Sequence, residues 1–150
     1  MTTDSAPDIP AGFHPLPMGG PFMSNVGPLY VRHEGPLVQV GFRVEPRHTN
    51  PLEICHGGML ASFADMLLPI SVHRKSAEVG LRFLPTISLQ LDYLAAVPLG
   101  AWVQGEGEVL RVTRSLVFAQ GTATADGVPC LRVSGIFKIG PALKLPVAEG

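Results

Sequence analysis

Asp65 is the one acid inside a long apolar stretch, and Asn50, His56, Gly57 and Gly58 stand shortly before it. A carboxylate in apolar surroundings must be paired, hydrogen-bonded or kept for chemistry. Asp65 suits a general base that activates water, or a nucleophile toward a carbonyl carbon. The bland alternative is a structural hydrogen bond to a nearby loop. Gly57 and Gly58 open the same stretch, where side-chain-free backbone lets a ligand approach the first N–H groups of a helix. With the macrodipole, those donors suit a carbonyl oxygen that becomes an oxyanion. Tight packing of the helix start against a strand explains the glycines equally well.

Spacing adds a constraint. Gly57 and Asp65 lie eight positions apart, which is about 12 Å along a helix. One helix does not easily present both to one carbonyl carbon. Two antiparallel copies about a two-fold axis would bring Gly57 of one toward Asp65 of the other. Joint use of the two residues therefore predicts at least a dimer with shared sites. Cys55-His56 is a poor nucleophilic pair, because neighbours in a loop rarely point at each other. His56 reads better as a hydrogen-bonding support for the loop. His14, His33, His48 and His73 are scattered, and with no HExxH or CxxC spacing no metal site is expected.

The elements that must position these residues follow from periodicity. Met59, Leu60, Phe63, Leu67 and Ile70 recur at helical spacing and predict a helix over residues 57–73, apolar nearly all round and so wrapped by other structure. Pro69 cannot donate to the Asp65 carbonyl, which predicts a kink or loosened last turns. Alternation predicts strands over 29–34 and 37–44, joined at Gly35-Pro36, with Val38, Val40, Phe42 and Val44 on one face. Four more are expected over 85–93, 101–112, 115–125 and 128–139, the last two joined by an Asp126-Gly127 hairpin. Two strands, a long helix and four antiparallel strands indicate an α+β fold. Residues 1–28, interrupted by six prolines, read as a leader that leaves no room for a helix; 29–140 form the domain and 141–150 a tail.

Bulk properties narrow the classes. At 150 residues, 46% hydrophobic and 15% charged, the chain is a folded globular domain. A net charge of −1 argues against a duplex nucleic-acid partner, which would require a basic face. No apolar run is long enough to span a bilayer, and no secretory signal opens the chain, so no membrane partner is expected. Two cysteines without framework spacing fit a reducing, cytoplasmic setting.

On Asn50, His56-Gly57-Gly58, Asp65 and the alternation over Thr86-Ile87-Ser88-Leu89-Gln90-Leu91-Asp92-Tyr93-Leu94, the sequence resembles the hotdog-fold thioesterases, specifically the phenylacetyl-CoA thioesterase (PaaI-type) branch. The resemblance runs from about Leu29 to Ile139. It implies an antiparallel sheet wrapped around one long central helix, in homodimers that often pair into homotetramers, and hydrolysis of an acyl-CoA, with CoA entering only as part of the substrate and no separate cofactor. Asp65 would be base or nucleophile and the Gly57 N–H would polarise the carbonyl. His56 would brace the site, and Asn50 would position water or carbonyl. A strand hydroxyl would assist, Thr86 first and Ser88 second, the two expected on one face with Gln90. Where many relatives carry Arg-Pro after the Tyr93-Leu94 position, this chain has Ala95-Ala96. Arg111, Arg114 and the Arg74-Lys75 pair are the candidate substitutes toward the CoA nucleotide, although solvated surface charge accounts for them as well, and Gly58 is a further candidate CoA-binding residue. Phe63, Met66, Phe83 and Trp102 are candidates to line the acyl tunnel, although core packing accounts for them as well. A non-catalytic acyl-CoA-binding or sensing protein is the alternative reading, and a dehydratase on the same fold ranks last.

Overall fold

Alternating side chains from Leu29 onward, and two glycine-bearing hairpins, produce one antiparallel sheet in the computed structural model, which describes residues 8–144. In chain order the elements are β1 (His14–Leu16), α1 (Gly20–Val26), β2 (Leu29–Glu34), β3 (Leu37–Arg43), α2 (Gly57–Lys75), β4 (Thr86–Tyr93), β5 (Trp102–Val112), β6 (Leu116–Ala125) and β7 (Val128–Lys138). The seven strands are ordered β1-β2-β3-β5-β6-β7-β4, every neighbour antiparallel. Asp126 and Gly127 both hold positive φ, as the tight β6–β7 hairpin requires.

Helix α2 crosses the concave face of this sheet, which is the expected hotdog arrangement. Phe63, Ala64, Leu67, Leu68 and Val72 are fully buried, while Ala61, Ser62, Asp65, Met66, Pro69 and His73 form a half-buried stripe along the helix. Glycines on the facing strands set how close it sits. A Cβ at Gly105 would meet Leu67 at 2.7 Å, one at Gly107 would meet the Ser71 hydroxyl at 2.7 Å, and one at Gly135 would meet Leu68 at 3.0 Å. Burial of this apolar interface, at about 25 cal/mol per Å², is the main force holding α2 in place. The helix runs unbroken through Pro69 to Lys75, and the Ser76 N–H still reaches the Val72 carbonyl at 2.9 Å. The loosening expected after Pro69 is therefore absent: packing on the surrounding strands holds the turns that one missing hydrogen bond would free.

The leader departs from expectation. Residues 8–28 contain β1, which pairs with β2, and α1, which inserts Met23 into the main core. Proline excludes a helix interior but suits its first turn, and Pro21 sits there. Phe13 closes edge-to-face on Trp102 at 5.0 Å, so the arm is packed on the sheet. Residues 1–7 and 145–150 lie outside the described part of the chain. Among the described residues no helix is long and apolar enough to cross a membrane.

Candidate active site

The loop before α2 is built from local bonds. Asn50 Oδ1 accepts from the Leu52 N–H at 2.9 Å and the Asn50 carbonyl from the Glu53 N–H at 2.9 Å, closing a turn in which Glu53 takes positive φ. His56 then caps the helix: its backbone is extended and its Nδ1 accepts from the Gly58 N–H at 2.8 Å. The His56 carbonyl takes the N–H groups of Met59 and Leu60. One donor of the first turn, the Gly57 N–H, is left without a partner among the described residues. The Tyr93 hydroxyl donates to the Gly57 carbonyl at 2.8 Å and fixes the same residue from the other side. Asn50, Gly57, Gly58 and Tyr93 line one cleft of about 520 Å³. His56 thus caps the first turn of α2.

Asp65 opens into a different cleft, of about 800 Å³. Its Oδ1 accepts from the Thr86 hydroxyl at 2.5 Å, which leaves Oδ2 without a partner among the described residues. The contact depends on a bulge. Thr86 is opposite Phe137 and Ser88 is opposite Ile136, so the extra residue between them turns Thr86 inward and Ser88 outward. Thr86 and Ser88 therefore do not share a face as plain alternation implied: Ser88 and Gln90 line a shallow hollow on the outer face with Phe118 and Ile136. The walls around Asp65 are apolar and come from α2, β4, the segment before β4 and the N-terminal arm.

A single chain thus divides the candidates into two sets, Asn50, His56, Gly57 and Gly58 at one end of α2 and Asp65 with Thr86 further along. The family model described as "Thioesterase superfamily" matches residues 52–130, a span that holds Gly57, Asp65 and Thr86. This chain belongs to the thioesterase superfamily. A Pseudomonas aeruginosa relative named "Putative esterase PA0474" is 24% identical over 135 residues, covering 88% of this chain and 98% of that one. The fold of this thioesterase-superfamily chain is shared with solved structures. Zebra fish thioesterase superfamily member 2 superposes with a TM-score of 0.65 at 23% identity, covering 75% of this chain and 81% of that one. An asparagine-to-aspartate mutant of phenylacetic acid degradation protein PaaI from Thermus thermophilus gives 0.66 at 21% identity, covering 79% and 98%. A hypothetical thioesterase protein of Streptococcus pneumoniae, solved with coenzyme A, gives 0.65 at 18% identity, covering 77% and 88%.

Several other candidates lie elsewhere. Arg111 and Arg114 are exposed at the β5–β6 turn and line neither cleft. Lys75 is tied by its ammonium to the Gly107 carbonyl at 2.8 Å. Met66 and Phe83 do line the Asp65 cleft, but Phe63 is sealed in the core and Trp102 packs on the outer face with Phe13 and Tyr30. Alternation put Trp102 on a strand without saying which face. Cys55 is buried, and that burial, reinforced by nearby Cys130, pushes its thiol up to about 12, so it carries no nucleophile at neutral pH. Sequence reasoning gave no role to Tyr93, Arg47 or His48, whose partners are distant in the chain.

Proposed function

We propose that the protein hydrolyses acyl-CoA thioesters at sites shared between two antiparallel copies, with Asp65 and Thr86 from one copy facing Asn50, His56 and Gly57 from the other. The observation that carries the reading is the division of the site. The free Gly57 donor and the half-free Asp65 carboxylate are each exposed to a cleft, yet stand about 12 Å apart on one helix.

The sheet supplies a way to join them. Strand β4 is the edge beside α2; it exposes Ile87 and Tyr93 at 58% and 53%, and Leu94, just past its end, is 54% exposed. A bare apolar edge of this kind invites strand pairing. Antiparallel pairing of two β4 strands would lay the two α2 helices side by side in opposite directions, with each Asp65 near the partner's helix start. Four-fold assembly by pairing of dimers is compatible with the same contact.

In the reaction, the thioester carbonyl is held against the Gly57 N–H, which strengthens its bond as negative charge collects on the oxygen. Asp65 Oδ2 takes a proton from water, and the water oxygen bonds to the carbonyl carbon. Collapse of the tetrahedral intermediate breaks the C–S bond; the thiolate leaves, takes up a proton and departs as CoA, with the free acid as second product. Direct attack by Asp65 would reach the same products through an anhydride. Asn50 Nδ2, its amide oxygen being used by the turn, is left to orient water or carbonyl. Arg111 and Arg114 stand as candidate contacts for the CoA phosphates. The protein would act in the cytoplasm, where CoA thioesters are made.

The test is release of free thiol from a panel of acyl-CoAs by the wild type and by Asp65→Ala, with thermal melts confirming that both are folded. Release by the wild type alone supports the reading. Binding of acyl-CoA with no thiol release would favour a binding or sensing protein.

A further inference from the structure

From the N-terminal arm we infer that Met18, Phe22 and Met23 form the acyl-selecting wall of the Asp65 cleft, so that this arm sets which uncharged apolar acyl chains are accepted. The inference deepens the thioesterase reading and rests on it. Beyond Asp65, Thr86 and Ser62, the cleft loses nearly all polarity: Met66, Leu89 and Leu143 continue its walls, and His73 is the one other titratable group in the lining. His73 sets Nε2 on the Arg82 carbonyl at 2.7 Å, and burial keeps the ring below its ordinary pKa and so neutral at pH 7. Among the described residues the lining offers no cation to a second carboxylate, which points away from dicarboxylic acyl groups. Three methionines give the wall a pliable, unbranched surface suited to a linear aliphatic chain.

The arm is placed to make this wall and is held there. Met23 is anchored in the core while Phe22, the position before it on α1, is 60% exposed at the cleft. Gly19, at φ 104°, passes so close that a Cβ would overlap Met23 Cγ at 2.2 Å and approach Met66 at 3.2 Å, leaving the methionines to fill the space. The far end of α1 is bolted down by one turn, Pro46–His48. Arg47 donates to the carbonyls of Asn25 and Gly27, and His48 Nε2 bonds the Val26 carbonyl at 2.6 Å. With Nδ1 accepting from the Glu45 N–H at 3.0 Å, His48 is fixed as the neutral Nε2–H tautomer that donates to Val26. Three successive carbonyls at the end of so short a helix are thus satisfied by side chains, which is how an arm without a long helix becomes a rigid wall.

The experiment compares kcat/KM for straight-chain butanoyl-, octanoyl-, dodecanoyl- and hexadecanoyl-CoA in the wild type, Met18→Trp and Phe22→Ala. Both positions are outside the sealed core, and melts and size-exclusion profiles check folding and assembly. Met18→Trp, which fills the wall, should lower the dodecanoyl-to-butanoyl ratio at least tenfold, since one methylene in an apolar pocket is worth a factor of about 10 to 200. Phe22→Ala should lower the same ratio less, through KM, because a long chain loses a roof contact that a short one never reaches. Length profiles that superimpose on the wild type overturn the inference while the thioesterase reading stands. So does altered assembly with unaltered selectivity, which would assign the arm to the subunit interface. If the wild type releases no thiol from any substrate, the reaction reading fails and the wall is tested by direct binding of dodecanoic acid: weaker binding in both variants supports it, equal binding overturns it.

Discussion

Gly57→Pro should remove the oxyanion donor and almost nothing else. Gly57 is the first residue of α2, where proline is favoured because its missing N–H has no helical partner. The residue before a proline must be extended, and His56 already is, at φ −60° and ψ 136°. A Cβ at position 57 would sit 3.4 Å from the Tyr93 ring, an ordinary contact. Loss of a single oxyanion donor costs about 2.7 to 4 kcal/mol in the transition state, so kcat should fall about 100- to 1,000-fold while the melting temperature stays close to wild type. Gly57→Ala, which keeps the N–H and adds the same carbon, should lose less than about tenfold. The shared-site geometry adds a quantitative check. When equal amounts of Gly57→Pro and Asp65→Asn subunits are dissociated and reassembled, half of the dimers are mixed and each mixed dimer has one intact site. About a quarter of wild-type thiol release should therefore return. A folded Gly57→Pro protein with nearly normal kcat would falsify the donor assignment. Mixed dimers no more active than their parents would refute the division of the site between copies.

Thr86→Val removes the hydroxyl that orients Asp65 at 2.5 Å. A hydrogen bond to a charged group contributes about 1.5 to 3 kcal/mol, and because Thr86 is exposed in the protomer the lower end applies, so kcat should fall about tenfold with recovery in Thr86→Ser; an unchanged kcat in Thr86→Val refutes the role. Iodoacetamide at neutral pH should leave the folded protein active, since burial holds the Cys55 thiol protonated; rapid inactivation with Cys55 labelled would show otherwise. Burial also pushes His48 below the usual imidazole range, as it does His33 and His73. Each binds more protons unfolded than folded, so its contribution is complete above about pH 6.5 and is lost as pH falls through the lowered folded value. Denaturant titrations should show stability declining as pH falls below about 6.5, less steeply in His48→Gln, and equal slopes in the two proteins would remove His48 as a contributor.

Most of the fold was legible because local pattern and tertiary demand agree. The period switch at Gly57 and its return near Thr86 mark α2 and β4 within a residue or two, and Asp126-Gly127 turns where expected. The arm was misread because proline count says where helices stop and nothing about what caps a short one. Without Arg47 and His48, some twenty residues further along, α1 would end on unsatisfied carbonyls. Pro69 was overweighted for the same kind of reason: the cost of one lost hydrogen bond is visible in sequence, whereas the glycine row that lets the sheet grip α2 depends on strand register.

The candidate site was legible to the extent that its parts are sequential. Asn50, His56, Gly57 and Asp65 lie on one loop and one helix, where spacing alone fixes relative position and even exposes the problem of the separation of about 12 Å. Thr86 entered through the family resemblance, and its aim toward Asp65 comes from the β4 bulge, which inverts the faces of everything after it and sends Ser88 to the other side. Tyr93 was hidden differently, since a strand-end tyrosine acquires meaning only when the strand ends beside Gly57. These three cases share a cause: they depend on where β4 runs relative to α2, and β4 is placed by pairing with β7, the last strand of the chain. Chemistry carried on one element is open to sequence reasoning. Chemistry assembled across an edge strand is decided by register.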